Sequence, residues 1–280
     1  MANLYDKVEL HTWKYRPLIG ADPEVFAKKA GTFVSAHGMI PGDKKNPHKV
    51  DDGAVQVDGM ALEFNINPAR DEEEFVYNLS SVMAQLRAMV PADTELCAVP
   101  VADFTEEYIE SQPEEAKELG CDADFNAYTG KQNPVPNARA LFRTASGHIH
   151  VGLWDPFGPI PMNHAKVCRD LARALDVYLG VPFLFVDGDH RRRELYGKAG
   201  AYRMKPYGME YRTLSNVWLT DNKLQRWVYQ QTLKAIASLR SDRQVWNALG
   251  VQTTIDTGNL KRARDIIERR KIDLPAGVSI

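Results

Sequence analysis

The chain has 280 residues, of which 44% are hydrophobic and 26% charged, with a formal net charge of −2. That profile fits a globular chain long enough to bury a substantial core, and it argues against broad electrostatic binding to nucleic acid or anionic membrane; the strands and helices read below make it an α+β chain. No wholly apolar run is long enough to span a bilayer, and the three scattered cysteines, Cys97, Cys121 and Cys168, form neither a disulfide framework nor a paired zinc motif.

The start, Met1-Ala2-Asn3-Leu4-Tyr5-Asp6, lacks a basic segment leading into an apolar one, so a cytoplasmic setting is expected, with thiols kept reduced. Asp22-Pro23-Glu24 precedes two short apolar stretches, 25–28 and 32–35, joined through Lys29-Ala30-Gly31, the pattern of a hairpin. A loop rich in Gly, Pro, Asp and Lys covers 41–53. In 61–67, Leu62, Phe64 and Ile66 share one face of a strand, and Glu63, Asn65 and Asn67 share the other. Residues 71–90 form a helix: acidic residues lead it, Phe75, Leu79, Val82 and Leu86 recur at helical spacing, and Pro91 stops it. A strand is expected over 94–102, an acidic helix broken at Pro113 over 105–119, and a long loop of functional interest over 121–139.

The second half is richer in chemistry. Ser146-Gly147-His148-Ile149-His150-Val151-Gly152 reads as a strand that puts both imidazoles on one face, about 7 Å apart. A helix over 163–179 closed by Gly180, a buried strand over 182–186, and helices over 221–249 and 256–270 are expected. Between them runs a basic, glycine-punctuated segment carrying Arg191, Arg192, Arg193, Lys198, Arg203 and Lys205. It leads into Gly208-Met209-Glu210-Tyr211-Arg212, where Glu210 and Arg212 share a face.

Carboxylates at Asp22, Glu24, Asp58, Glu63 and Glu210 suit magnesium or manganese, and His148 among them fits manganese better than magnesium. Arginine forks match phosphate oxygens and offset the charge that develops in phosphoryl transfer. Neither a Gly-x-x-x-x-Gly-Lys-Ser/Thr loop nor a dinucleotide glycine fingerprint is present. Each element also has a plainer explanation: a His-x-His pair can be structural, an exposed Glu-x-Arg pair contributes little, and three consecutive arginines usually form a solvated turn.

Together, Ile19-Gly20-Ala21-Asp22-Pro23-Glu24, the stretch from Gly53 to Asn65, Ser146-Gly147-His148-Ile149-His150, Tyr196-Gly197-Lys198-Ala199-Gly200 through Arg203, and Glu210-Tyr211-Arg212-Thr213-Leu214-Ser215-Asn216 resemble the glutamine synthetase and glutamate–cysteine ligase superfamily. The nearest likeness within it is the phage carboxylate–amine ligase type 2 family. The resemblance implies a glutamine synthetase-like curved antiparallel sheet with helices on its convex face. The likeness covers most of residues 18–220, and the chain is expected to form one domain over 1–250, with 251–280 a C-terminal helical appendage of the same domain.

The resemblance further implies ATP and two or three Mg2+ or Mn2+ ions, with Glu24, Glu63, His148, Glu210 and Asp22 as metal ligands. Arg193, Lys198, Arg203 and Arg212 would hold ATP phosphates. His150, Arg203 and Arg212 would act at the reacting groups. The implied reaction joins a small-molecule or protein carboxylate to an amine through an acyl phosphate. Superfamily members often assemble into rings, which leaves a homo-oligomer open, but the sequence carries no interface signal for one; for a phage-encoded chain the host cytoplasm is expected. The chain departs from the pattern in carrying Asp-Pro-Glu on its first strand and Gln56 or Asp58 where a further glutamate is expected. Two other readings stay open: a metal-dependent hydrolase built on the His-x-His strand, and a catalytically silent virion-associated binding protein on the same scaffold.

Overall fold

Alternation of apolar and polar side chains sorts the strands onto one large sheet. The computed structural model describes residues 17–117, 124–134, 140–155, 157–239 and 250–280. The strands are β1 (Leu18–Lys29), β2 (Thr32–Val34), β3 (His48–Val50), β4 (Gly53–Asp58), β5 (Ala61–Ile66), β6 (Thr94–Cys97), β7 (Val101–Asp103), β8 (Phe125–Asn126), β9 (Phe142–Thr144), β10 (Gly147–Gly152), β11 (Ala201–Lys205) and β12 (Gly208–Tyr211). The sheet runs β3-β4-β5-β1-β10-β12-β11-β8. β2 and β6 pair with the far half of β1, and β7 with β9 forms a separate ribbon. The pairings are antiparallel throughout the described residues.

The helices are α1 (Glu72–Met89), α2 (Glu106–Glu110), α3 (Glu114–Lys117), α4 (His164–Leu175), α5 (Val181–Phe183), α6 (Arg192–Leu195), α7 (Asn222–Ser238), α8 (Val251–Thr257) and α9 (Leu260–Arg270). The apolar face of the sheet, including Val25, Leu62, Phe64, Ile149 and Met209, shares one buried core with α1, α4 and α7. The opposite face carries the polar members of the same strands. This is the expected α+β architecture, with helices packed on one side of an antiparallel sheet.

Local signals account for the first half well. Asp71 caps α1 by accepting from the Glu74 amide at 2.9 Å, and three glutamates occupy its first turn, where they favour the helix dipole. The hairpin of β1 and β2 forms as expected. Within the 41–53 loop the structure adds β3, paired with β4. The expected strand over 94–102 divides into β6, which joins β1, and β7, which leaves the sheet to pair with β9.

Two expectations in the second half are corrected. Gly180 does not end a helix; the chain passes from α4 through a wide π turn, Asp176–Gly180, directly into α5. Residues 182–186 are therefore helical and turn rather than strand. Gly180 is there for close packing, since a Cβ would lie 2.8 Å from Ile255 Cδ1 and 2.9 Å from the Tyr211 hydroxyl. The helix expected over 256–270 is two helices interrupted at Gly258–Asn259, with the Asn259 side chain accepting from the Arg262 amide to start α9. Those two helices pack on α5 and on Val177 and Ala199 in a second buried cluster. The expected 221–249 helix is α7 as far as Ser238, and 240–249 lie outside the described residues. So do 118–123, including Cys121, and 135–139.

Gly147, in the histidine strand, illustrates how tightly that strand is held. A Cβ there would lie 2.2 Å from Trp218 Nε1 and 2.4 Å from the Ser215 carbonyl, and Trp218 is fully buried. Gly147→Ala is expected to lower stability by about 2–3 kcal/mol through overpacking, read as a reduced urea midpoint with unchanged slope.

Candidate functional site

Register brings the polar side chains into rows. On β1 and β10, Asp22 stands opposite His148, and on β10 and β12, His150 stands opposite Glu210. On β1 and β5, Glu24 stands opposite Glu63, which stands opposite Gln56 of β4. On β11 and β12, Arg203 stands opposite Glu210. Because each of these residues alternates with a core residue, the pairs share the sheet face away from the helices.

Two clusters of metal-ligand type result. Asp22, His148 and Glu210 place one donor atom each within 4.8 Å of one another, and Glu24, Asp58 and Glu63 do the same. In the first, His148 Nδ1 lies 3.4 Å from both Asp22 Oδ1 and Glu210 Oε1. Burial and the neighbouring Arg212 hold His148 below its ordinary pKa, which favours the neutral ring, and Arg212 Nη1 lies 3.3 Å from its Nδ1. Burial opposes ionisation of Asp22, but His150 and His148 overcome it and hold the carboxyl well below its usual range. Burial and Asp22 likewise oppose ionisation of Glu210, and Arg212 with the histidines brings it to about 2. Two ionised carboxylates and a neutral imidazole form a donor set that fits a divalent cation.

The second cluster has the opposite electrostatics. Burial and Asp58 push Glu24 up to about 8, and burial with Asp22, Asp58 and Glu24 pushes Glu63 well above its ordinary value. Like charges opposite one another on neighbouring strands repel, and a bound cation would relieve that repulsion. Ser146 N donates to Glu24 at 2.6 Å, Gln56 donates to Glu63 at 2.9 Å, and Lys44 from the 41–53 loop reaches Asp58 at 2.7 Å.

The cations divide into two groups. Arg212 is buried and pairs with Glu210 and with Asp124. Lys205 reaches Glu210 at 2.8 Å, and Arg203 lies 3.9 Å from Asp124. These three sit beside the first cluster. Arg193 and Lys198, grouped with them in the sequence, lie elsewhere. Arg193 contacts His190 at 2.6 Å and experiences the charges of Asp187, Asp256 and Asp189. Lys198 acts with Arg193 on Asp256 of α8. Arg192 is buried as a structural tie, donating to the Ala145 carbonyl at 3.1 Å, the Thr213 carbonyl at 2.8 Å and the Ser146 hydroxyl at 2.9 Å.

His150 faces Asp22, with Nε2 2.9 Å from Oδ2. Sequence reasoning missed Asp124 and Tyr207. Asp124 lies in the long 121–139 loop, whose length was its only signal. Tyr207 occupies the β11–β12 turn and offers no periodicity to detect it by.

Among solved structures, a bifunctional glutathione synthetase from Pasteurella multocida aligns with a TM-score of 0.55 at 11% identity, covering 98% of this chain and 47% of that one. The chain thus spans about half that protein's length, and the likeness concerns the fold. A novel glutamine synthase homolog aligns with a TM-score of 0.40 at 13% identity, covering 94% of this chain and 65% of that one. No curated protein sequence matches the chain. Among the described residues, no helix is long and apolar enough to cross a membrane. The sequence model of the phage phiEco32-like COOH.NH2 ligase-type 2 family matches residues 133–277, a stretch that holds the histidine strand, Arg203, Glu210 and Arg212. That match takes in just over half of the 280 residues, and the chain belongs to this family of carboxylate–amine ligases.

Proposed function

We propose that the chain uses ATP to join a carboxylate to an amine, with divalent cations held by Asp22, His148 and Glu210 and by Glu24, Asp58 and Glu63. The observation that carries this reading is the placement of both clusters on one sheet face, beside Arg212, Arg203 and Lys205. The γ-phosphoryl group passes from ATP to a carboxylate oxygen of the first substrate, releasing ADP. The amine nitrogen then attacks the acyl carbon, loses a proton and expels inorganic phosphate, leaving an amide. Cations bound at the two clusters would offset the negative charge of the phosphoryl oxygens.

The chain's own residues position and stabilise. Arg212 carries a guanidinium suited to phosphoryl oxygens, and Asp124 pairs with its Nε. Lys205 and Arg203 add positive charge where ADP leaves. No nucleophilic side chain is required, because orientation and electrostatics in a water-poor site lower the barrier. Lys44 ties the 41–53 loop to Asp58 of the second cluster, and that loop would screen the cluster from water when substrate is bound.

The test is ADP release from ATP with Mg2+ or Mn2+, screened over carboxylate and amine pairs, with mass spectrometry of the product. Release that needs both substrates and yields their amide supports the reading. Absence of ADP release, with no rise in melting temperature on adding ATP and cation, sinks it. Within an active preparation, Arg212→Lys is expected to lower kcat about a hundredfold, because an ammonium does not reproduce a bidentate contact. Near-normal turnover would remove Arg212 from the phosphoryl site.

A further inference from the structure

We propose that Tyr207 is a positioning residue for Asp22, acting through the His150 imidazole, and so sets the cation affinity of the Asp22–His148–Glu210 cluster. The inference rests on the reading that this cluster holds a divalent cation.

The chain of contacts is continuous. The Tyr207 hydroxyl lies 2.5 Å from His150 Nδ1, and His150 Nε2 lies 2.9 Å from Asp22 Oδ2. That 2.5 Å contact fixes the rotation of the imidazole about its Cβ–Cγ bond. A ring held at Nδ1 keeps its Nε2 against Asp22 Oδ2 at 2.9 Å. Asp22 is then fixed through Oδ2, which leaves Oδ1 turned towards His148 Nδ1 at 3.4 Å. A carboxylate prevented from rotating loses less freedom when it takes up a cation.

The backbone supports the same arrangement. The Tyr207 carbonyl accepts from the Leu153 amide at 2.7 Å and from the Trp154 amide at 3.0 Å. The β11–β12 turn is thereby stapled to the end of β10, just past His150. Tyr207 reaches the cluster through the imidazole, which explains why a turn residue with no alternation signal belongs to the site.

The test is Mn2+ titration of the full chain by calorimetry, without nucleotide, in wild type, Tyr207→Phe, His150→Gln and the double variant. Tyr207→Phe is expected to weaken one Mn2+ site roughly 10- to 100-fold, at unchanged stoichiometry and unchanged melting temperature in chelator. The double variant is expected to bind no more weakly than His150→Gln alone, a non-additivity that a merely structural role for Tyr207 would not produce. Wild-type affinity in Tyr207→Phe, or additive losses in the double variant, overturns the proposal and leaves the cation reading standing. Absence of Mn2+ binding by the wild type overturns both.

Discussion

Glu210→Gln is expected to lower ATP turnover roughly 10³-fold, the upper end of what one preorganised charged group contributes, and to destabilise the fold as well. Glu210 is 1% exposed and meets His148, Lys205 and the equally buried Arg212. Removing its charge takes from Arg212 one of its anionic partners while Asp124 stays, and breaking a buried pair typically costs about 3–5 kcal/mol. His148→Ala separates the two effects. His148 is held neutral by burial and Arg212, so its loss strands no charge. It should abolish turnover to a similar degree with a smaller fall in stability. Steady-state ADP release and urea unfolding on both variants check this. Wild-type-like ADP release from either would remove the first cluster from catalysis.

The parts of the site that were legible in the sequence are those governed by a period. His148 and His150, Glu210 and Arg212, and Glu63 between Leu62 and Phe64 alternate with core residues, and alternation on a sheet predicts a shared face. Antiparallel register then brought Asp22 against His148 and Glu24 against Glu63. Which strands neighbour one another is a long-range matter that the sequence pattern leaves open. Arg193 and Lys198 show the cost of that gap: close to Arg203 in sequence, they interact with Asp256 of α8.

The misread segment 182–186 has a different cause. A short apolar run does not distinguish a buried strand from a buried helix, and Gly180 looked like a stop. What carries the helix past it is Asp176, fully buried and accepting from the hydroxyls of Tyr211 at 2.7 Å and Tyr128 at 2.8 Å. Those two tyrosines come from β12 and from the 124–134 segment. The π turn at Asp176 is thus set by contacts 35 and 48 residues away in sequence, beyond any local signal.

In chelator, the chain is expected to lose stability as pH rises from about 5 to 8, and divalent cation should flatten that slope. Glu24 moves from 4.5 to about 8 on folding, through burial and Asp58, and Glu63 is raised as well. Between the two values the folded chain keeps a proton that the unfolded chain releases. Stability therefore falls with pH across that window, by up to ~1.4 kcal/mol per pH unit for each such proton, and the contribution is gone above the folded pKa. Asp22 and Glu210 are shifted down, so their contribution is complete above pH 5 and adds no slope there. His148 and His150 shift in opposite directions and oppose each other. A cation at Glu24, Asp58 and Glu63 replaces the retained proton, which removes the pH dependence. Glu63→Gln should mimic the protonated form: higher melting temperature than wild type at pH 8 in chelator, a shallower pH slope, and a smaller rise on adding Mn2+. Thermal melts from pH 5 to 8.5, with chelator or Mn2+, measure all three. A variant less stable than wild type at pH 8 in chelator would show that Glu63 is not held there against charge repulsion, and the second cluster would lose its electrostatic case for a cation.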